Sequence, residues 1–110
     1  MDLKGRSAII TGANQGLGQA IATSFVQAGA SVMLMARSEE RLLVAQQELA
    51  RLVTQTGQQV HAMRGDVSDP ASCAEVVRQS QELLPNPTIL VNNAGVYGPI
   101  GPIEDANWDD

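Results

Sequence analysis

A glycine-rich segment near the start of the chain has the residue types and the position of an anion-binding turn. It runs from Thr11 to Gly18, directly after a short apolar run and directly before a stretch with helical spacing. Glycine lets the backbone turn tightly and lets a ligand come close to it. The first N–H groups of a helix and the positive end of its dipole stabilise negative charge. The segment therefore predicts a binding site for a pyrophosphate.

Charged and amide side chains follow the other apolar runs. Arg37 comes after the second run, Asp66 after the third and Asn93 after the fourth. In an open α/β sheet the ligand crevice lies at the carboxyl ends of the strands. We therefore expect these residues to meet the glycine-rich segment in space, although they are far apart in the sequence.

The apolar runs that must position these residues have the length of strands. They are Ala8 to Thr11, Val32 to Ala36, Val60 to Met63 and Ile89 to Val91. Three of them barely alternate between apolar and polar residues, which is typical of strands buried on both faces of a parallel sheet. The third run contains His61 and is followed by Arg64, so we expect it at an edge of the sheet.

Segments with helical spacing separate these runs. The first helix is expected to bury one row of apolar and small residues: Leu17, Ala20, Ile21, Ser24, Phe25 and Ala28. The second is expected to bury Leu42, Ala45, Leu49, Leu52 and Val53. Gly29 and Gly57 are the predicted C-terminal caps of these helices, and Ser38 is the predicted N-cap of the second. A third helix is expected from Asp69 to near Pro85.

The alternation of strands and helices places the chain in the α/β class. Right-handed crossovers wind such a chain into part of a Rossmann-type doubly wound parallel sheet, here with about four strands in the order 3-2-1-4 and helices on both faces. The fourth strand would then lie at an unprotected edge. We expect that edge to promote association of the chain with itself.

Composition excludes several classes of function. A net charge of −5 at pH 7 argues against a nucleic-acid partner, because such binding depends on Lys and Arg. No apolar run approaches the roughly 18 residues of a membrane span, and the polar N-terminus lacks the features of a secretion signal. A cytoplasmic location with no membrane partner is expected. Cys73 is the only cysteine and has no clustered His, which favours helix packing over a disulfide or a metal site.

Four short motifs, each at or beyond a strand end, carry a family resemblance. They are TGxxxGxG from Thr11 to Gly18, Asp66-Val67, Asn92-Asn93-Ala94-Gly95 and Trp108-Asp109. In this combination and order the chain resembles the short-chain dehydrogenase/reductase family over essentially its whole length. A glycine-rich turn alone would also suit a purely structural strand-to-helix connection, and the combination is what favours the family.

The resemblance implies a cofactor-binding role for three of these motifs. The part of the glycine-rich segment that would contact the pyrophosphate and the adenosine ribose comprises Gly12, Asn14, Gln15, Gly16, Leu17 and Gly18. Asp66 and Val67 would hold the adenine, with the carboxylate accepting from the amino group and the Val67 N–H donating to a ring nitrogen. Asn93, Ala94 and Gly95 would line the ribose on the nicotinamide side.

The end of the second strand predicts which dinucleotide is preferred. In the family, NAD-preferring members have an acidic residue there and NADP-preferring members have a cation, and this chain has Ala36 and then Arg37. The planar fork of an arginine suits a 2′-phosphate. Some NADP-preferring relatives also have a basic residue where this chain has the neutral Gln15. NADP is therefore the expected cofactor, with NAD as the alternative.

The catalytic residues of the family have no counterpart in this sequence. The resemblance places an Asn, a Ser and a YxxxK pair beyond Trp108, and Tyr97 is followed four residues later by Gly101 rather than Lys. We therefore expect residues 1–95 to form the dinucleotide-binding unit, and residues 96–110 a Gly/Pro-rich loop with an acidic, truncated end. No catalytic residue is assigned.

Two hypotheses follow for the function. The first is an NADP(H)-dependent oxidoreductase of carbonyls or secondary alcohols, represented by a chain without its catalytic residues. The second is a non-catalytic dinucleotide-binding or interaction module, which would sequester cofactor or pair with a full-length relative. Two residue assignments also have plainer alternatives: Arg37 as a solvated residue paired with Glu40, and Asp66 as an ordinary turn or capping residue. His61 is expected to be an edge-strand residue without a catalytic role.

Overall fold

Strands and helices alternate along the chain. The computed structural model describes residues 1–13, 16–85 and 87–93. Their elements are β1 (Ser7–Thr11), α1 (Gly16–Gln27), β2 (Ser31–Ala36), α2 (Glu39–Ala50), β3 (Val60–Arg64), α3 (Pro70–Leu83) and β4 (Pro87–Asn92). The predictions for Asn14, Gln15, Ala94, Gly95 and the Gly/Pro-rich loop fall outside these residues. None of the helices in the described ranges has the length and apolar character needed to cross a lipid bilayer.

The strands form one parallel sheet of the predicted topology. Within the described residues the sheet has four strands in the order β3-β2-β1-β4, and every neighbouring pair is parallel. Thr11 lies opposite Met35 of β2 and Asn92 of β4, and Ala36 lies opposite Arg64 of β3. The carboxyl ends of all four strands therefore stand side by side. The predicted α/β class and Rossmann-type order are confirmed.

Helices cover both faces of the sheet, as expected from the alternation. On one face Ile10 and Leu34 pack with residues of α1 and α2 such as Val26 and Leu42. On the other face Ile9, Met33 and Met35 pack with Val76 of α3. Each central strand therefore contributes alternate residues to two separate apolar layers, and every residue of β1 and β2 is buried.

The two outer strands are less buried than the central pair. β3 is half-buried, in agreement with the predicted edge position. The expectation that the Ile89 to Val91 run is buried on both faces was wrong: β4 alternates between half-buried and exposed residues, and Leu90 is 54% exposed. Only one side of β4 pairs with another described strand, and a strand at an edge is covered less completely than a central one.

The buried row of α1 differs from the predicted one. Gly18, Ala22 and Val26 are the fully buried residues, while Leu17 is 68% exposed and Ser24 is exposed. The face of α1 that contains Gly18 is turned toward the sheet, because Gly18 packs directly against Gly12 in the turn after β1. The predicted cap is present, since Gly29 follows the helix with φ of +100°.

The predicted end of the second helix was also wrong. α2 ends at Ala50, seven residues before Gly57, and Arg51 caps it in a right-handed conformation. The Gln58 side chain holds the connection that follows. Its Nε2 donates to the carbonyl oxygens of Val26 and Ala30, 2.8 and 2.7 Å away, and its Oε1 accepts from the N–H of Thr54 at 3.0 Å. A side chain that satisfies these backbone groups stabilises a turn where the apolar spacing alone predicted helix.

Gly18 is the position where a side chain is least tolerable. A β-carbon there would lie 2.0 Å from the Gly12 carbonyl oxygen and 2.6 Å from Asn93 Nδ2. We therefore predict that Gly18→Ala lowers the free energy of unfolding by about 1 to 3 kcal/mol, the usual cost of overpacking. Ala20→Ser adds one heavy atom to an exposed position of the same helix and should change stability by under about 0.5 kcal/mol.

Urea unfolding of the two variants measures this difference. The midpoint should fall in Gly18→Ala with an unchanged slope, which reports a loss of stability without a change in compactness. Equal midpoints in both variants would show that the turn after β1 moves aside at no cost.

The exposed side of β4 generates a second prediction. Unpaired strand edges with apolar side chains promote association, so the chain should form oligomers or aggregates at high concentration. Leu90→Lys places a charge on this strand and should shift the mass measured by light scattering toward the monomer. Leu43→Lys is the matched control, because Leu43 is 46% exposed on α2. A monodisperse monomer of the unmodified chain at high concentration would contradict the prediction.

Candidate active site: the carboxyl edge of the sheet

Two glycines flank the start of α1, Gly12 after β1 and Gly16 at the first position of the helix. Gly12 has φ of +65° and Gly16 has φ of +54°, conformations that residues with a β-carbon adopt at a cost. The Gly12 N–H donates to the Met35 carbonyl 2.8 Å away, which ties the turn to β2. Apart from its chain neighbours and the backbone of its own helix, no atom of the described residues lies within 4 Å of where a β-carbon of Gly16 would stand. The first turn of α1 contains no acidic residue, so nothing there opposes an anion.

The end of β4 is held against this turn. The Asn93 N–H donates to Thr11 Oγ1 at 2.9 Å, and the Thr11 hydroxyl lies 3.0 Å from Asn92 Oδ1. The amide of Asn93 reaches into the space that Gly18 leaves open. These contacts bring two of the predicted site residues, Gly18 and Asn93, to one point. Thr11 begins the predicted glycine-rich segment, but sequence reasoning assigned it no contact, although its hydroxyl joins the ends of β1 and β4.

The turn between β3 and α3 is built around Asp66. Its Oδ1 accepts from the N–H of Ser68 at 2.9 Å and from the Ser68 hydroxyl at 2.7 Å. Its own N–H donates to Ser72 Oγ at 2.9 Å. Asp66 is thus a turn residue, as the plainer alternative held. Only Oδ1 takes part in the hydrogen bonds seen among the described residues, so Oδ2 remains available to a ligand.

The Asp66 carboxylate is stabilised in its charged form. The hydroxyl hydrogen bond from Ser68 is the largest cause, and the backbone hydrogen bond from the same residue adds to it. Partial burial opposes the shift, and the positive charge of Arg37 contributes a smaller lowering. Together these contacts lower the pKa of Asp66 below its ordinary value. The group is therefore an acceptor at neutral pH.

A cleft of about 600 Å³ lies beside this turn. The side chains and backbone that line it come from the ends of β2 and β3 and from the starts of α2 and α3: Arg37, Glu39, Met63, Arg64, Gly65, Asp66, Asp69 and Ser72. Arg37 is exposed and, within the described residues, forms no salt bridge with Glu40. The cleft therefore joins two predicted site residues, Arg37 and Asp66.

Sequence reasoning missed three residues of this cleft. A β-carbon on Gly65 would lie 2.6 Å from Met35 Cε and 3.0 Å from Ser72 Oγ. The glycine therefore allows the turn after β3 to pack closely against these two side chains. Ser72 holds the Asp66 backbone through its hydroxyl. Arg64 stands at the end of β3, and its place after an apolar run was a signal like that of Arg37.

Three other residues singled out in the sequence have local contacts. Cys73 Sγ lies 3.5 Å from the Val67 carbonyl oxygen, beneath the turn that begins at Asp66. His61 Nε2 lies 2.6 Å from Gln59 Oε1 on the outer strand. Val67 itself is half-buried and packs against the layer beneath α3.

Comparison with known proteins places this arrangement in a family. The sequence model described as short chain dehydrogenase matches residues 6–110. Oxidoreductase UcpA of Escherichia coli K12 is 39% identical over 108 residues, which cover 98% of this chain and 39% of the relative. The chain thus spans well under half the length of that relative.

Solved structures with the same fold include two complexes with a bound dinucleotide. L-Sorbose reductase from Gluconobacter frateurii, in complex with NADPH and L-sorbose, is 36% identical with a TM-score of 0.79, over 87% of this chain and 35% of that one. The RhlG/NADP active-site complex from Pseudomonas aeruginosa is 34% identical with a TM-score of 0.75, over 86% and 36%. With its glycine turn, its Asp66 turn and its Asn93 at one edge of a 3-2-1-4 sheet, the chain belongs to the short-chain dehydrogenase family.

Proposed function

We propose that the chain is the cofactor-binding part of an NADP(H)-dependent oxidoreductase that acts on carbonyls or secondary alcohols. The observation that carries the proposal is the convergence of an open helix start, an ionised Asp66 and the exposed Arg37 at the carboxyl edge of the sheet. Membership of the family supports the activity. Residues 1–95 as the binding unit and a cytoplasmic location stay predictions from the sequence.

The glycine turn fits a pyrophosphate. The open space beside Gly16 leaves room for the group, and the N–H groups at the start of α1 would donate to its oxygens. Asn14 and Gln15, between the two glycines of the turn, belong to the same proposed contact. Leu17, exposed at the helix start, would cover the adenosine ribose.

The Asp66 turn fits an adenine edge. The unused Oδ2 of Asp66 would accept from the adenine amino group, and the Val67 N–H would donate to a ring nitrogen. Because Ser68 already holds Oδ1, binding would require no rearrangement of the carboxylate, which lowers its cost. Asn93, with Ala94 and Gly95 after it, would line the ribose on the nicotinamide side.

Arg37 supports NADP over NAD. Its guanidinium would donate to the 2′-phosphate, while the 2′-hydroxyl of NAD offers no charge to pair with. The NADPH and NADP named with the two related structures support this preference. When bound, the cofactor supplies or accepts the hydride, and this chain's residues bind and orient it.

Proton transfer would need groups that the described residues do not offer. The reaction requires a general acid to protonate the substrate oxygen as hydride arrives. In this sequence Lys4 is the only lysine and Tyr97 the only tyrosine, so no YxxxK pair can form. The second candidate is a dinucleotide-binding module without turnover. Sequencing past the codon for Asp110 separates the two: an open frame encoding Asn, Ser and YxxxK supports the enzyme, and a stop supports the module.

Cofactor preference should follow Arg37. Charge-assisted hydrogen bonds contribute roughly 1.5 to 3 kcal/mol, so Arg37→Asp should lower the ratio of NADP to NAD affinity about tenfold or more. Calorimetric titration of the chain with each dinucleotide measures this ratio. Arg51→Asp makes the same change of charge at the far end of α2 and should leave the ratio unchanged. An unaltered ratio in Arg37→Asp would make Arg37 a surface residue without a role in selectivity.

The 110-residue chain should bind cofactor weakly and catalyse no measurable oxidation or reduction. Loss of a positioned general acid lowers the rate about 10²- to 10⁴-fold, and loss of substrate-orienting groups lowers it further. Steady-state assays with NADPH and NADP over a panel of ketones and alcohols check this. Turnover that scales with the amount of chain and disappears in Gly16→Trp would show that the active site lies within these residues after all.

A further inference from the structure

A second arginine stands beside Arg37 at the edge of the cleft. Arg64 lies directly opposite Ala36, the residue before Arg37, and the Gly65 N–H donates to the Ala36 carbonyl at 2.9 Å. With neighbouring strands about 4.8 Å apart and consecutive Cα atoms about 3.8 Å apart, the Cα atoms of Arg37 and Arg64 lie no more than about 9 Å from each other. Both side chains line the same cleft of about 600 Å³.

Among the described residues, none of the carboxylates that share the cleft forms a salt bridge with either arginine. Asp66 Oδ1 is held by Ser68. Asp69 caps α3 and accepts from the Ala71 N–H at 3.0 Å. Glu39 lies in the first turn of α2, where the helix dipole stabilises it. Among the described residues the Arg64 guanidinium takes part in no hydrogen bond or salt bridge, so its donors are available to a ligand in the cleft.

We propose that Arg64 is a second residue that selects NADP, with its guanidinium and that of Arg37 binding the 2′-phosphate from two sides. This inference rests on the proposed function, because it assigns a ligand to the same cofactor site. A phosphate monoester carries a charge of about −1.5 to −2 and three acceptor oxygens, which one arginine cannot fully satisfy. Two adjacent guanidinium groups provide the donors and the positive charge that match this phosphate.

The pairing explains why Arg64 would affect selectivity more than binding in general. The 2′-hydroxyl of NAD has no charge for a second guanidinium to neutralise. Removal of Arg64 should therefore lower the affinity for NADP and leave the affinity for NAD nearly unchanged. A charge on an outer strand also has a plainer role, since it discourages edge-to-edge pairing. That role predicts no effect on the ratio of the two affinities.

Calorimetric titration of the full chain with NADP and with NAD tests the inference. Arg64→Gln removes the charge and keeps a similar length of side chain, and it should lower the ratio of NADP to NAD affinity roughly tenfold, as loss of a charge-assisted hydrogen bond does. Arg51→Gln is the matched control, because Arg51 is exposed at the opposite end of α2, and its ratio should equal that of the unmodified chain. If Arg64→Gln unfolds at a lower temperature than the unmodified chain, Arg64→Thr repeats the test with a residue of high strand propensity.

The outcomes separate this inference from the proposed function. A lowered ratio in Arg64→Gln and Arg64→Thr, with Arg51→Gln unchanged, supports a phosphate contact by Arg64. If Arg37→Asp lowers the ratio while both Arg64 variants retain it, the inference is overturned and the proposed NADP preference stands. If the unmodified chain binds neither dinucleotide, or binds both equally, the proposed preference and the inference fall together, before any variant is made.

Discussion

The close approach of the Gly12 carbonyl and the Asn93 side chain to Gly18 is the constraint on which the site depends. The carbonyl of Gly12 and the amide of Asn93 occupy the space that a β-carbon would need, and the Thr11 hydroxyl ties the ends of β1 and β4 together. These contacts set the height of α1 above the sheet and the direction in which its N-terminus points. An anion-binding helix start is useful only when its N–H groups face the crevice. The packing of one glycine therefore decides where a pyrophosphate can lie.

The cleft on the other side of β2 is organised by polar contacts instead of close packing. Ser68 and Ser72 fix the carboxylate and the backbone of Asp66 from the next turn and from the start of α3. Two cations, Arg37 and Arg64, stand at the neighbouring strand ends. The two halves of the crevice thus present complementary chemistry: the N–H groups at the start of α1 at one end, and an acceptor beside two cations at the other.

Much of the fold could be predicted from the sequence because the strand runs and the glycine motif are local patterns. The topology followed from right-handed crossovers, and the site residues followed from their places after strands. The rotation of α1 could not be predicted, because Leu17 and Gly18 differ in burial for a reason that lies in Asn93, far along the chain. The early end of α2 depends on hydrogen bonds from Gln58 to Val26 and Ala30, and apolar spacing contains no information about them. The place of Arg64 after an apolar run was a signal in the sequence, but its position beside Ala36 and Arg37 is known only from the strand register.

The position of β1 between its two partners also affects how the chain can fold during synthesis. β1 ends at residue 11, and β4, which pairs along its second side, begins at residue 87. At typical translation rates of about 5 to 20 residues per second, that side of β1 stays unpaired for roughly 4 to 15 s until β4 is synthesised. Every strand pair in the sheet joins segments separated by a helix or more, so no hairpin can protect the apolar strand earlier. The side of β1 that pairs with β4 is therefore exposed to non-native contacts for longer than the side that pairs with β2, which begins at residue 31.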